Sequence, residues 1–300
     1  MANTPPLVIA VASGKGGVGK TTTAANISVA LGQMGMRVVA IDMDGQGNLG
    51  QALGVDPHEV RASTYHLMTG RLRQLDHAAG PSPYQNVSVV PARMELFGAE
   101  AELPVGERKE YILKALLQQQ EASKFDVAIV DLPPNLGFHT INGLTAARWV
   151  LVPLQVSGFA LTGLRQLAHA IRLVQDNLNP ELELMGLVPT FVNARSKFSR
   201  ELVEALEMIP NMRIFQPYVP YAVRVAEGSL TGVPVVVSSP ESKAGAAYLQ
   251  IAKEILGILT GAPQVAGQAA PRPGIPSPPP VVEIEPPRRR LGRLLSFLRR

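Results

Sequence analysis

The sequence predicts an α/β fold, a doubly wound and mostly parallel sheet with helices on both faces. Short apolar runs such as LVIAVAS, RVVAID and FDVAIVD alternate with longer segments of helical period such as KTTTAANISVALGQ. Runs without polar alternation are typical of strands that are covered on both faces, as in parallel sheets. The chain has 300 residues and 46% apolar residues, so it can bury a substantial core.

Further strands are expected at VSVVPA, WVLVPLQ and LELMGLVPTFV, with a turn at GPSPYQN before the first of them. The stretch EGSLTGVPVV is interpreted as a helix end, a turn and a short extended run. Helical period predicts the remaining helices near residues 63–69, 107–121, 163–178, 198–208 and 242–259.

The composition changes abruptly after residue 261. Residues 261–287 hold nine of the 26 prolines, which indicates an extended or disordered linker. We therefore expect one domain over residues 1–261, a proline-rich linker over 262–287 and a short tail over 288–300.

Charge and cysteine content narrow the class of protein. The net charge is +4, but six arginines lie in the last thirteen residues, so residues 1–287 carry a net charge of −2. The chain has no cysteine, which excludes disulfides and thiolate metal sites. Its start lacks a basic segment, and no apolar run reaches the length of a spanning helix, so a cytoplasmic protein is expected.

The stretch GKGGVGKTT, between the first strand and the first helix, predicts a phosphate-binding loop. The pattern G-x-x-x-x-G-K-[ST] runs from Gly14 to Thr21 in the strand, loop and helix context that this motif needs. Glycines bring backbone N–H groups close to a phosphate, the lysine adds positive charge, and the threonine hydroxyl can ligate Mg²⁺. The predicted nucleotide contacts are Gly14, Gly16, Gly17, Val18, Gly19, Lys20, Thr21 and Thr22.

Three aspartates follow the ends of predicted strands. Asp42 and Asp44 are two residues apart at a strand end, so both side chains point the same way and can address one Mg²⁺ at the carboxyl edge of the sheet. Asp131 ends the apolar strand FDVAIVD, and the two prolines after it force the chain into a loop. The sequence therefore predicts Thr21, Asp42 and Asp131 as the metal-side residues.

A second lysine, Lys15, distinguishes this loop, because KGGVGKTT resembles the deviant phosphate loop of the ParA/MinD family of ATPases. The resemblance covers most of residues 7–258, including NGLTAARWVLVPLQVSGFALTGLRQL and VRVAEGSLTGVPVVVSSPESKAGAAYLQIAKEIL. The Gln-Gly-Asn that follows the paired aspartates favours ParA over MinD. Gly45 departs from the family pattern, in which proline is usual.

The resemblance implies a fold of the phosphate-loop nucleotidases, with ATP and Mg²⁺ as cofactors and a homodimer that forms on ATP binding. It implies three catalytic residues. Lys15 would reach the phosphates of the nucleotide on the partner subunit, Lys20 would act within its own site, and Asp44 would position or activate the attacking water. Asp42 would hold the water shell of the metal. Hydrolysis would be stimulated by a ParB-like partner.

The resemblance also implies contacts to adenine and to DNA. Asn193 and Pro220 are expected near adenine, although an asparagine after a strand is more often a turn residue. Tyr221 stands where an arginine is common. ParA proteins bind DNA non-specifically through basic residues on one face of the dimer, although the charge of −2 outside the tail argues against DNA binding here. The matching positions are Arg195, Lys197, Arg200 and Arg224.

The tail RRRLGRLLSFLRR has an apolar face surrounded by arginines when it is drawn as a helix. That face comprises Leu291, Leu294, Leu295 and Leu298, with Phe297 at its border. Three interpretations remain open: an anchor on an anionic membrane surface, a docking helix or DNA-binding arm, and a tail without a partner.

These observations predict a switch ATPase that partitions or positions DNA, such as a plasmid or chromosome, and that associates with the nucleoid. Two alternatives remain open, a MinD-like regulator that cycles on a membrane and a factor that positions a protein assembly.

Overall fold

A computed structural model describes residues 4–104, 108–157, 160–193, 195–210 and 212–261. These residues contain a sheet of seven strands in the order β3-β4-β2-β5-β1-β6-β7, parallel throughout except for β3, which pairs antiparallel with β4. The strands are β1 (Leu7–Val11), β2 (Val38–Asp42), β3 (Gly80–Pro81), β4 (Val87–Val90), β5 (Val127–Asp131), β6 (Trp149–Gln155) and β7 (Glu183–Thr190).

Helices cover both faces of this sheet, as predicted. The α-helices of the described residues are α1 (Lys20–Gln33), α2 (Asn48–Ala52), α3 (Thr64–Met68), α4 (Ile112–Leu117), α5 (Phe138–Ala146), α6 (Ala160–Asn177), α7 (Lys197–Glu207), α8 (Val223–Thr231), α9 (Val235–Ser238) and α10 (Lys243–Thr260). Successive residues of β1 contribute to two separate apolar clusters, because side chains of a strand alternate between faces. One cluster packs against α1 and α10, and the other against α5 and α6. The doubly wound architecture is therefore confirmed.

The strand order places the carboxyl ends of three strands side by side. β1 lies between β5 and β6, and β5 lies between β1 and β2. In this register Asp131 is level with Val11 on one side and with Asp42 on the other. Ligands of open α/β sheets bind at such an edge, where the strand order reverses. The phosphate loop after β1 and the aspartates after β2 and β5 consequently meet at one place.

The predicted extended run at the end of EGSLTGVPVV is wrong, because Val235–Ser238 forms the short helix α9. The backbone N–H groups of Val237 and Ser238 both donate to the carbonyl of Pro234. The side chain of Asn26 in α1 accepts a further bond from the N–H of Val236. Burial against α1 thus overrides the strand preference of three consecutive valines.

The predicted helix at 107–121 is also wrong in length. The regular α-helix there is α4, flanked by 3₁₀ turns at Lys109–Tyr111 and Gln120–Lys124. Asn142 of α5 donates to the carbonyl of Lys109 at 2.8 Å and accepts from the N–H of Leu113 at 3.3 Å. A neighbouring side chain therefore supplies bonds that a longer helix would have made within itself.

Helix α10 closes the described part of the chain, and Gly261 after it adopts the left-handed conformation typical of helix ends. Both the predicted linker 262–287 and the predicted tail 288–300 lie outside the described residues, so the domain boundaries remain predictions. Within the described ranges, no helix combines the length and apolar character needed to cross a membrane.

Asn179 offers a test of how the end of α5 is fixed. Its side-chain amide is buried and donates to the carbonyls of Leu144 at 3.0 Å and Ala147 at 2.7 Å. Replacing it by alanine should lower the free energy of unfolding by about 1–3 kcal/mol, because two buried carbonyls lose their donor. Urea unfolding of Asn179→Ala measures this. The matched control is Asn177→Ala, because Asn177 is exposed and bonds to one carbonyl. Equal losses in the two variants would contradict the account.

Candidate nucleotide-binding site

The loop between β1 and α1 folds as its glycines require. Gly17 and Gly19 have φ values of 73° and 84°, in the left-handed region that favours glycine. Gly14 is needed for a different reason. A Cβ added there would lie 2.0 Å from the carbonyl oxygen of Gly163 in α6. The first glycine of the motif thus lets the loop lie directly against a helix from much later in the chain.

Hydroxyl groups hold this loop in place from several sides. Thr190 at the end of β7 donates to the carbonyl of Val18 at 2.8 Å, and Ser13 donates to the carbonyl of Lys15 at 2.9 Å. Thr23 donates to the carbonyl of Gly19 at 2.8 Å, and its hydroxyl lies 3.2 Å from that of Tyr248 in α10. The loop is therefore tied to β7 and to α10.

Lys20 and Thr21 both contact Asp131 at the end of β5. The lysine Nζ lies 2.9 Å from Oδ1, and the threonine hydroxyl donates to Oδ2 at 2.6 Å. Lys20 is 7% exposed and Asp131 is fully buried, so this is a charge pair out of contact with bulk water. The structure thus brings together three residues that the sequence had placed in two separate motifs.

Asp42 lies beside this pair and is also fully buried. Its carboxylate accepts from the N–H of Asp44 at 3.0 Å and from the N–H of Leu49 at 2.9 Å. Burial, and after it the charge of Asp131, raises the pKa of Asp42 to about 8. Burial also raises the pKa of Asp131, against the opposing influence of Lys20 and Thr21. Two carboxylates here share one lysine, so a further cation would stabilise their charged forms.

This donor set suits Mg²⁺, which prefers oxygen ligands and usually combines one or two carboxylates with phosphates and water. The carboxylates of Asp42 and Asp131 and the Thr21 hydroxyl lie together at the site. Among the described residues, no cluster of three or more aspartate, glutamate or histidine side chains could hold a metal ion. The phosphates of a nucleotide would supply further oxygen ligands for Mg²⁺.

A cavity of about 420 Å³ opens in front of the phosphate loop. Its floor includes residues 16, 17 and 19–22 of the loop together with Asp44 and Asn48. Phe191, Pro220 and Tyr221 are among its other lining residues and give it an apolar and aromatic part. A cavity that combines a phosphate loop with aromatic side chains matches the phosphates and the base of a nucleotide.

Six residues predicted for the nucleotide site lie outside this lining: Gly14, Lys15, Val18, Asp42, Asp131 and Asn193. Lys15 is exposed, and its contact with a second subunit stays a prediction. Asn193 is exposed, and its side-chain oxygen accepts from the N–H of Arg195 at 3.1 Å. Its geometry is that of a turn residue, and a contact of Asn193 with adenine stays a prediction.

The predicted DNA-binding residues follow two neighbouring loops. A parallel bridge joins Val192 to Pro220, which brings the loop before α7 next to the loop before α8. Arg195 is exposed on the first loop, Lys197 and Arg200 are exposed on α7, and Arg224 is exposed on α8. Lys197 lies 3.5 Å from Glu201, and Arg224 donates to Ser239 at 2.9 Å. Whether this basic group meets DNA stays a prediction.

Gly45 departs from the family pattern at a place close to Phe97. A Cβ on Gly45 would lie 2.8 Å from the ring of Phe97, so a larger residue there would require that side chain to move. Four residues of the site were not predicted from the sequence: Phe97, Gly163, Thr190 and Phe191. These residues lie far along the chain from the motifs that they contact. Phe191 alone carries a local signal, since it lies near the end of the predicted strand LELMGLVPTFV, at the carboxyl edge.

The contact between Gly14 and Gly163 predicts an asymmetry between two glycine variants. Gly14→Ala places a Cβ against a backbone carbonyl and must displace the loop, whereas a Cβ on Gly163 meets its nearest atom at 3.5 Å. We expect Gly14→Ala to weaken nucleotide binding by about tenfold or more, the effect of a shift near 1 Å at a positioned site. Gly163→Ala should bind as the wild type does. Isothermal titration calorimetry with ATP distinguishes the two, and equal behaviour would count against the contact.

Comparison with known proteins places this site in a family. A family model described as "AAA domain" matches residues 7–184. The chain is 35% identical over 83% of its length to the sporulation initiation inhibitor protein Soj of Bacillus subtilis, covering 97% of that protein. It is 37% identical over 85% of its length to the chromosome partitioning protein ParA of Caulobacter vibrioides, covering 96% of that protein.

A solved structure agrees with these sequence matches. The structure described as cobyrinic acid a,c-diamide synthase from Mycobacterium smegmatis, with bound ADP and magnesium, is 35% identical and has a TM-score of 0.74. The match covers 85% of this chain and 96% of that one. The resemblance carried by KGGVGKTT is therefore confirmed by matches that extend over most of the described residues. The chain belongs to the ParA/MinD family of P-loop ATPases, with the chromosome partitioning proteins ParA and Soj among its relatives.

Proposed function

We propose that this protein is an ATP-dependent switch that dimerises, binds DNA without sequence preference, and positions or partitions it. The observation that carries the proposal is the convergence of Lys20, Thr21, Asp42 and Asp131 at one sheet edge, beneath a loop that also presents Lys15. Relatives named as chromosome partitioning proteins support the DNA role.

ATP would bind with its phosphates on the loop and its base at the aromatic part of the cavity. Mg²⁺ would be held by Thr21 and, through water, by Asp42 and Asp131, and when bound it neutralises charge on the phosphates. The bound ADP and magnesium of the Mycobacterium smegmatis structure support this assignment. Lys20 would exchange its contact with Asp131 for the phosphates, which keeps its positive charge paired.

Hydrolysis would depend on Asp44. Its side chain lines the cavity, and one carboxylate oxygen accepts from the N–H of Gln46 at 3.2 Å, which fixes its direction. It would orient a water for attack on the γ-phosphorus, the bond to the oxygen of ADP would break, and Asp44 would receive the proton from the water. Lys15 of the partner subunit would stabilise charge on the phosphates, so the site is complete only in the dimer.

The DNA contacts would come from the loop after β7 and from the first turns of α7 and α8. DNA phosphates can compete for the basic side chains there, because Lys197 and Arg224 are exposed and contact Glu201 and Ser239 among the described residues. A dimer would present these basic residues twice and so would make twice as many phosphate contacts. A ParB-like protein would then stimulate hydrolysis and release the DNA. We place the protein in the cytoplasm, on the nucleoid.

A second function is favoured by the tail sequence. Residues 288–300 combine apolar positions with six arginines, a pattern typical of helices that lie on anionic membranes. Dimerisation would pair two weak anchors and so raise membrane affinity without a new contact. A MinD-like regulator that cycles on a membrane is therefore the alternative. A factor that positions a protein assembly would use either the nucleoid or the membrane as its track.

Replacing Asp44 separates binding from hydrolysis. Asp44→Ala should bind Mg-ATP within about threefold of the wild type, because the phosphate contacts remain, while hydrolysis falls by about 100-fold or more. Calorimetry and a phosphate-release assay measure the two quantities. A variant that hydrolyses ATP at the wild-type rate would rule out Asp44 as the residue that activates water.

The DNA role is tested by salt-dependent binding of the full chain, locked with ATP by Asp44→Ala, to random-sequence duplex DNA. Binding should weaken steeply with salt, and adding Arg195→Ala and Arg224→Ala should lower affinity by about tenfold and reduce the salt slope by about 2 per protomer. The control is Arg73→Ala, an exposed arginine between α3 and β3, at the opposite edge of the sheet.

The same preparation distinguishes the membrane alternative. If DNA binding is absent and the protein binds vesicles of anionic phospholipid only with ATP, the membrane-cycling function replaces the proposal. Leu294→Glu with Leu298→Glu would then abolish vesicle binding, because both substitutions place charge on the apolar face of the tail.

A further inference from the structure

Two aromatic rings lie close to each other at the candidate nucleotide site. Phe191 and Tyr221 have ring centroids 6.1 Å apart, with an angle of 41° between the ring planes. Both line the cavity that contains the phosphate loop. The tyrosine is 70% exposed, so much of its ring is accessible to a ligand.

The position of Phe191 is fixed by unusual backbone geometry. Its φ of 54° lies in the left-handed region, which is rare for an aromatic residue and occurs where surrounding structure imposes it. Its ring comes within 3.6 Å of the place that a Cβ on Gly19 would occupy, directly beside the phosphate loop. The preceding residue, Thr190, bonds to the carbonyl of Val18. The aromatic ring and the phosphate loop are thus held together by the same short segment.

Tyr221 is held by the neighbouring loop. The N–H of Val219 donates to the carbonyl of Pro189 at 2.9 Å, and the N–H of Val192 donates to the carbonyl of Val219 at 3.1 Å. These bonds extend the pairing beyond the end of β7 and set Tyr221 next to Phe191. The remaining lining residues nearby are apolar: Val219, Pro220, Ala222 and Val225.

We propose that Tyr221, supported by Phe191, is the platform on which the base of the nucleotide stacks. The inference rests on the nucleotide site of the proposed function and adds to it the residue that recognises the base. An aromatic face with apolar neighbours favours the flat π-surface of a nucleobase. Stacking on Tyr221 requires no hydrogen bond from Asn193, whose contact with adenine stays a prediction.

With this platform, the affinity of the protein for ATP depends on the base as well as on the phosphates. In the full-length protein, Tyr221→Leu should weaken Mg-ATP binding by about tenfold, the loss typical of removing one base-stacking contact. Binding of inorganic tripolyphosphate with Mg²⁺ should stay within about twofold of the wild type, because the phosphate loop is unchanged. Tyr221→Trp should restore ATP affinity.

Calorimetry with both ligands tests the inference, with Phe198→Leu as the control because Phe198 is an exposed aromatic residue on α7 outside the cavity lining. Unchanged ATP affinity in Tyr221→Leu would overturn it. Equal losses for ATP and tripolyphosphate would also overturn it, since Tyr221 would then act on the phosphate loop. If the wild type binds neither ligand, the nucleotide site of the proposed function fails as well.

A spectroscopic measurement adds a readout that a merely structural role would not change. The triphosphate of 2-aminopurine riboside fluoresces, and stacking on an aromatic ring quenches it. We expect quenching with the wild type and with Tyr221→Trp, and its loss with Tyr221→Leu at saturating ligand. Full quenching by Tyr221→Leu would contradict the platform.

Discussion

The ion pair between Lys20 and Asp131 is the interaction on which the site depends. It joins the start of α1 to the end of β5, two segments 111 residues apart in sequence, in an environment that excludes water. A buried charge needs a partner, because leaving one uncompensated costs several kcal/mol, on the order of 3–5. The pair therefore fixes the phosphate loop over the sheet edge and holds the lysine where a phosphate group can replace the carboxylate.

The neighbouring Asp42 makes this arrangement responsive to a cation. One lysine faces two buried carboxylates, and burial together with the charge of Asp131 raises the pKa of Asp42, which disfavours its charged form. A divalent cation bound with a nucleotide would stabilise the charged forms of both carboxylates. The nucleotide would then change the interactions of three strand ends at once, which is what a switch requires.

Much of this could be predicted from the sequence, because strand ends and a glycine-rich loop carry local signals. The phosphate loop and each of the three aspartates are marked by the few residues around them, and the fold class by the alternation of short apolar runs with segments of helical period. What the sequence could not supply were contacts between distant segments. Gly163 against Gly14, Phe97 over Gly45 and the helical turn at Val235–Ser238 are set by tertiary packing, which overrides local preference.

We propose that each site is completed by Lys15 of the other subunit. Mixing two inactive variants tests this proposal most directly. In a dimer of the two variants, the site on the Lys15→Ala subunit has its own Asp44 and receives Lys15 from the Asp44→Ala subunit. The other site lacks both groups, so each mixed dimer has one complete site. We predict that phosphate release, low for each variant alone, recovers to about a quarter of the wild-type rate in an equal mixture when subunits associate at random. No recovery, in a mixture shown to form heterodimers, would contradict the account.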